Sequence, residues 1–116
     1  MLKQLLGKFA ETRAEKMLAV AGLTVVCRNY RCRLGEIDLI AQDGEVLVFV
    51  EVRSRSRADY GSAAESISLA KQRRIIAAAR HYLATLPRMP ACRFDAVTLD
   101  EGGEPVWIKS AFEDVG

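Results

Sequence analysis

The stretch GEIDLIAQDGEVLVFVEVRSR, Gly35 to Arg55, decides how this chain is read. Two runs, Gly35 to Gln42 and Glu45 to Arg53, flank Asp43-Gly44, a pair favoured in two-residue hairpin turns because both positions tolerate positive φ. A turn at that pair sets Glu36 opposite Glu51, Asp38 opposite Phe49 and Ile40 opposite Leu47. Alternation along the strands then sorts the side chains. Ile37, Leu39, Ala41, Val46, Val48, Val50 and Val52 make an apolar face, whereas Glu36, Asp38, Glu51 and Arg53 share the other face with Ile40, Leu47 and Phe49.

Side chains directly opposed in an antiparallel pair have Cβ atoms about 5 Å apart, and diagonal neighbours lie about 7 to 8 Å apart. Glu36, Asp38 and Glu51 therefore converge on a face that is partly apolar, where uncompensated carboxylates cost several kcal/mol. A divalent cation converts that repulsion into coordination. An ordinary ion-pair network through Arg53 is the competing explanation, although one arginine cannot neutralise three acids. Oxygen-only donors favour Mg²⁺ or Mn²⁺. His81 is the single histidine, and Cys27, Cys32 and Cys92 form no CxxC pair, so multi-histidine and thiolate zinc sites are not indicated.

Outward from the hairpin, Leu6, Ala10, Ala14, Met17, Leu18 and Ala21 recur at helical spacing, which predicts an amphipathic helix from about Leu5 to Ala21, stopped at Gly22. Glu11 falls at the edge of its apolar stripe. A strand follows from Leu23 to about Arg28, then a basic connection from Asn29 to Arg33. After an Arg/Ser-rich loop from Ser54 to about Ser62, Ala63 to Ile67 reads as a helical turn. Ser68 reads as the N-cap of a helix ending near Leu86, with Ile75, Ala79, Tyr82, Leu83 and Leu86 as its buried stripe. Arg93 to Leu99 and Val106 to Lys109 read as two more strands. The order α-β-β-β-α-β-β implies a mixed sheet whose second helix crosses over to a parallel strand.

The chain has 116 residues, half of them apolar, enough for one domain spanning residues 1–116. No apolar run approaches the roughly 20 residues of a membrane-spanning helix, and charged residues interrupt the N-terminal segment, so no membrane or secretory segment is expected. Unpaired cysteines suit a reducing cytoplasm. Residues 1 to 94 hold 16 of the 17 basic and 9 of the 15 acidic residues, which concentrates positive charge ahead of an acidic C-terminal part. Arg31, Arg55, Lys71, Arg73 and Arg74 are the candidates for a polyanion surface, with scattered solvated cations as the alternative. Lys71, Arg73 and Arg74 lie in the first turns of a helix, where cations are disfavoured unless an anion also binds there.

GEIDLIA at Gly35 to Ala41 followed by VFVEVRSR at Val48 to Arg55 resembles the YraN-like family of predicted bacterial endonucleases. The resemblance extends over nearly the whole chain, through Gly7, Glu11 and Ala14, Gly22, Asn29 and Arg31, Lys71 and Arg74, Ala78 to Leu83, RFDAV at Arg93 to Val97, and Ala111-Phe112. It implies a restriction-endonuclease-like fold, a mixed sheet of about five strands flanked by helices. It also implies kinship with archaeal Holliday-junction resolvases, whose acidic metal ligands match Glu11, Asp38 and Glu51. Glu36 belongs to the motif, and Asp95 lies in it without an assigned role. Arg53 stands where the nuclease signature has lysine; it can hold phosphate but stays protonated.

Three expectations follow. The first is an endonuclease that uses Mg²⁺ or Mn²⁺ at Glu11, Asp38 and Glu51, with Glu36 and Arg53 in the catalytic set, acting on DNA, branched DNA included, with a homodimer suited to such a substrate. The second is a nucleic-acid-binding module without turnover. The third is a protein-interaction domain whose acids form only ion pairs.

Overall fold

The computed structural model describes residues 2–55, 67–100 and 104–114. The expected Ser/Arg-rich loop beyond Arg55 and the turn before Ile67 lie outside the described residues, as do the side chains of Leu6 and Arg55. The elements run α1 (Leu2–Val20), β1 (Thr24–Cys32), β2 (Gly35–Asp43), β3 (Val46–Arg55), α2 (Leu69–Leu83), β4 (Ala91–Asp100) and β5 (Pro105–Phe112). This is the mixed α/β order expected from the sequence.

All five strands form one sheet in the order β1-β2-β3-β4-β5. Neighbours are antiparallel except β3 and β4, which the α2 crossover makes parallel. Ala10, Ala14 and Leu18 of α1 cover one face with Leu39, Ala41, Val48, Val50 and Val97. Ile75, Ala78, Ala79 and Leu83 of α2 cover the other with Ile40, Leu47, Phe49, Phe94 and Phe112. Phe49, Phe94 and Phe112 stack in series across β3, β4 and β5, with centroids 5.4 and 5.1 Å apart.

Helix ends follow their sequence signals. Gly22, at φ 96°, ends α1, and the Leu23 N–H reaches back to the Leu18 carbonyl at 3.0 Å. The Ser68 side chain accepts from the Lys71 N–H at 3.1 Å and caps α2.

Three local expectations are corrected. The hairpin turn is Gly44-Glu45, not Asp43-Gly44, because Asp43 pairs with Val46, Gln42 with Leu47 and Ile40 with Phe49. Gly44 has φ 59° while Glu45 does not adopt positive φ, the arrangement of a turn with glycine at its first central position. Asp43 stays in the strand, where its carboxylate meets Arg93 of β4 at 3.0 Å.

β1 continues through the segment expected to be a connection, with Asn29 at φ 52°. Asparagine tolerates this left-handed conformation, which lets the strand carry on past an irregular residue. Asn29 falls between the pairs Arg28–Leu39 and Tyr30–Ile37, at the level of Asp38. There the alternation on β2 also breaks, so that Ile37 joins the α2-side core instead of sharing a face with Leu39.

Candidate metal and phosphate site

The ladder between β2 and β3 ends at Leu39–Val50, one residue short of Asp38 on one strand and Glu51 on the other. The strands part here, and the backbone N–H of Val52 donates to Asp38 Oδ2 at 2.8 Å. A side chain thus fills a place that a strand carbonyl would take in a continuing ladder. The one-residue shift of the turn moves every strand partner by two and brings Asp38, not Glu36, level with Glu51, so that the two carboxyl groups act on each other.

Glu51 is 7% exposed. Burial, then the adjacent Asp38 charge and the hydrogen bond between them, push its carboxyl up to about 8, against the lowering effect of Lys71 and Arg53. Burial also raises Asp38, partly offset by the Val52 N–H and by its contact with Glu51. Two carboxyl groups in this relation hold a proton that a cation can replace.

Glu11 approaches from α1. Burial raises its pKa first, and the charges of Asp38 and Glu36 raise it further. Its Oε1 is buried without a hydrogen-bond partner among the described residues. Glu11 also borders a polar cleft of about 230 Å³ walled by Lys8, Thr12, Glu15, Arg28 and Asn29. An orphaned carboxylate oxygen electrostatically coupled to Asp38, beside a carboxyl pair that retains protons, is a donor set that fits a hard divalent cation. Magnesium is commonly held by only one or two carboxylates, with waters completing its shell. As the side chains stand, no group of three or more acidic, histidine or cysteine residues among the described ones is arranged as a metal cage.

Glu36 departs from its expected place facing Glu51. It pairs with Arg31 across β1 and β2, with Arg31 Nε 3.1 Å from Glu36 Oε2, and both side chains are well exposed. Arg31 is thereby engaged at the rim of the acidic group.

Lys71 projects from the first turn of α2 to within 3.9 Å of Glu51 Oε2, with 31% of its side chain exposed. Arg53, half-buried, has no ion-pair partner among the described residues, although its charge acts on Glu51. Arg74 is exposed, and its carbonyl packs over Gly35. Arg73 lies apart, lining a cleft of about 380 Å³ on another flank of α2 with Arg80, Glu113 and Asp114.

Gly35 explains how α2 comes so close. A Cβ at Gly35 would lie 2.5 Å from the Arg74 carbonyl oxygen, so only glycine admits this approach of helix to strand. Sequence patterning marked Gly35 and Lys71 separately. It carried no signal of their proximity, because nothing local reports where a crossover helix lands.

Asp95, left without a role by the sequence, is fully buried on β4. It accepts from Arg93 Nε at 3.1 Å, Trp107 Nε1 at 3.0 Å and the Ser110 N–H at 2.9 Å. Ser110 has φ 52°, next to the irregularity where β5 shifts register against β4. Asp95 pins that bulge, a structural task away from the carboxylate pair. Trp107 thus packs and donates, with Lys109 over its ring at 4.7 Å.

Comparison with known proteins places these residues in a wider set. The profile of the uncharacterised protein family UPF0102 matches residues 10–99. The UPF0102 protein of Nitrosospira multiformis is 55% identical over 115 residues, covering 97% of each chain. Its counterpart in Cupriavidus taiwanensis is 56% identical over 96% of this chain and 85% of its own, and that of Psychromonas ingrahamii 49% over 93% and 89%.

Proposed function

Because the chain belongs to the UPF0102 family, the YraN-like group its motifs resemble, we propose that it is a metal-dependent endonuclease acting on DNA phosphodiester bonds. The observation that carries this reading is the carboxyl pair of half-buried Asp38 and buried Glu51 at the point where β2 and β3 separate. The kinship with junction resolvases that the resemblance implies makes branched DNA the substrate to test first.

Asp38 and Glu51 would hold Mg²⁺ or Mn²⁺, with Glu11 as the third carboxylate. Such an ion, when bound, lowers the pKa of water and offsets charge developing on a phosphoryl oxygen. The chain's own residues do the rest. The Val52 N–H fixes the Asp38 carboxylate, Arg31 holds Glu36 at the rim, and Arg53 and Lys71 supply positive charge toward a phosphate. Among the described residues no helix is long and apolar enough to cross a membrane. Three free thiols suit a reducing cytoplasm as the place of action.

The test is cleavage of four-way, flapped, duplex and single-stranded DNA with Mg²⁺ or Mn²⁺, comparing the native chain with Asp38→Asn and Glu51→Gln. Metal-dependent cutting lost in both variants supports the reading. Intact DNA under all these conditions sinks it.

A second reading rests on Arg53, which cannot accept a proton from water. The chain would then bind DNA without cutting it, and Arg53→Lys would gain cleavage that the native chain lacks.

A further inference from the structure

Resting on the metal-site reading above, we infer that Lys71 is an internal counter-ion that gives up its carboxylate to the incoming metal and then engages a phosphodiester oxygen of the nucleic acid. Lys71 is the one basic side chain, among the described residues, within ion-pair distance of Glu51. Its Nζ lies 3.9 Å from Oε2, at the outer edge of an ion pair and beyond hydrogen-bond length. It faces the negative charge that the Asp38–Glu51 pair retains, without being locked in place. With 31% of its side chain exposed against 8% for Glu51, it links a buried carboxylate to solvent.

The position is built rather than accidental. The Ser68 cap holds the Lys71 backbone N–H at 3.1 Å, and the Gln72 side chain ties back to the Ile67 carbonyl at 2.9 Å. The bare Gly35 lets the next turn of α2 sit directly on β2. Three features, two at the start of α2 and one on β2, therefore set one ammonium beside one carboxylate. No acidic residue occupies the first turn of α2 to hold the lysine there instead.

A divalent ion bound by Asp38 and Glu51 would put two positive charges beside that ammonium. The attraction to Glu51 would become repulsion at about 4 Å, where charges inside a protein still interact strongly. The released ammonium then needs an anion. At the amino end of α2 the backbone N–H groups also favour one, and a DNA phosphate supplies it. Metal and nucleic acid are thereby coupled through one side chain, each favouring the other's binding.

The experiment measures binding rather than turnover. Mn²⁺ affinity is titrated by calorimetry for the native chain, Lys71→Met and Lys71→Arg. Affinity for a short DNA duplex is then measured in EDTA and in saturating Mn²⁺, with the DNA checked for intactness in the same samples. Lys71→Met is expected to bind Mn²⁺ about tenfold more tightly and, once loaded, to bind DNA about tenfold more weakly. In EDTA its DNA affinity stays within about twofold of native, because the lysine is then occupied by Glu51. Lys71→Arg, which keeps the charge, restores the metal-dependent gain. Mn²⁺ affinity that does not tighten in Lys71→Met overturns the inference, as does a DNA loss of equal size with and without metal. A native chain that binds no Mn²⁺ overturns it together with the metal site, whereas uncut DNA bound normally sinks only the nuclease reading.

Discussion

The carboxylate of Asp38 accepts the backbone N–H of Val52 at 2.8 Å, so one side chain both closes the gap between β2 and β3 and belongs to the acidic pair with Glu51. These two duties separate by substitution. Asp38→Asn keeps an acceptor for the Val52 N–H and removes the negative charge. Its stability should remain within about 1 kcal/mol of native, while Asp38→Ala leaves that N–H unpartnered and loses about 1–3 kcal/mol. Both variants lose Mn²⁺ binding. Urea unfolding alongside calorimetric titration checks the split, and equal stability of the two variants would deny Asp38 its structural duty.

Protonation of Glu51 links stability to pH. Its folded pKa of about 8 lies above the ordinary 4.5, so the folded chain keeps a proton that the unfolded chain releases. The resulting stabilisation is fully present below about pH 4.5 and is lost as pH rises through about 8. In EDTA, the melting temperature should fall between about pH 5 and 8.5, a loss on the order of a few kcal/mol. Glu51→Gln flattens that slope. Because metal replaces the proton, stabilisation by Mn²⁺ grows over the same range. A metal-free melting profile that rises with pH would contradict a proton held on buried Glu51.

Gly35→Ala tests the approach of α2. The added methyl would meet the Arg74 carbonyl at 2.5 Å, so the helix must move outward. The expected cost is about 1–3 kcal/mol by denaturant unfolding. Lys71 should move with the helix, and the dependence of Mn²⁺ affinity on residue 71 should shrink in the Gly35→Ala background.

Asp95→Ala tests a buried acid whose contacts serve structure alone. Removing it leaves Arg93, Trp107 Nε1 and the Ser110 N–H without their shared acceptor. The expected loss is about 3–5 kcal/mol, with a change in Trp107 fluorescence. If enough protein folds, Mn²⁺ affinity is native-like. Lost metal binding in a folded Asp95→Ala chain would place Asp95 in the site.

The elements themselves were legible because periodicity and caps report local conformation. Ala10, Ala14 and Leu18 at helical spacing mark the buried face of α1, and Ser68 marks the start of α2. The motif segment GEIDLIA and its partner VFVEVRSR mark the strands that hold Asp38 and Glu51. The dipeptide Asp43-Gly44 misled by one position. Its register was settled by Gly44 alone taking positive φ and by Arg93, fifty residues further along the chain, holding Asp43 in its strand.

From the sequence alone came a mixed five-stranded sheet, two covering helices and an acidic face, since each follows from residues that are neighbours along the chain. Tertiary structure chose the partners: Glu36 goes to Arg31, Asp38 to Val52 and Glu51, and Lys71 to Glu51. Those choices depend on register between strands and on how closely a distant helix packs. Both are settled by contacts between segments that no local pattern of residues encodes.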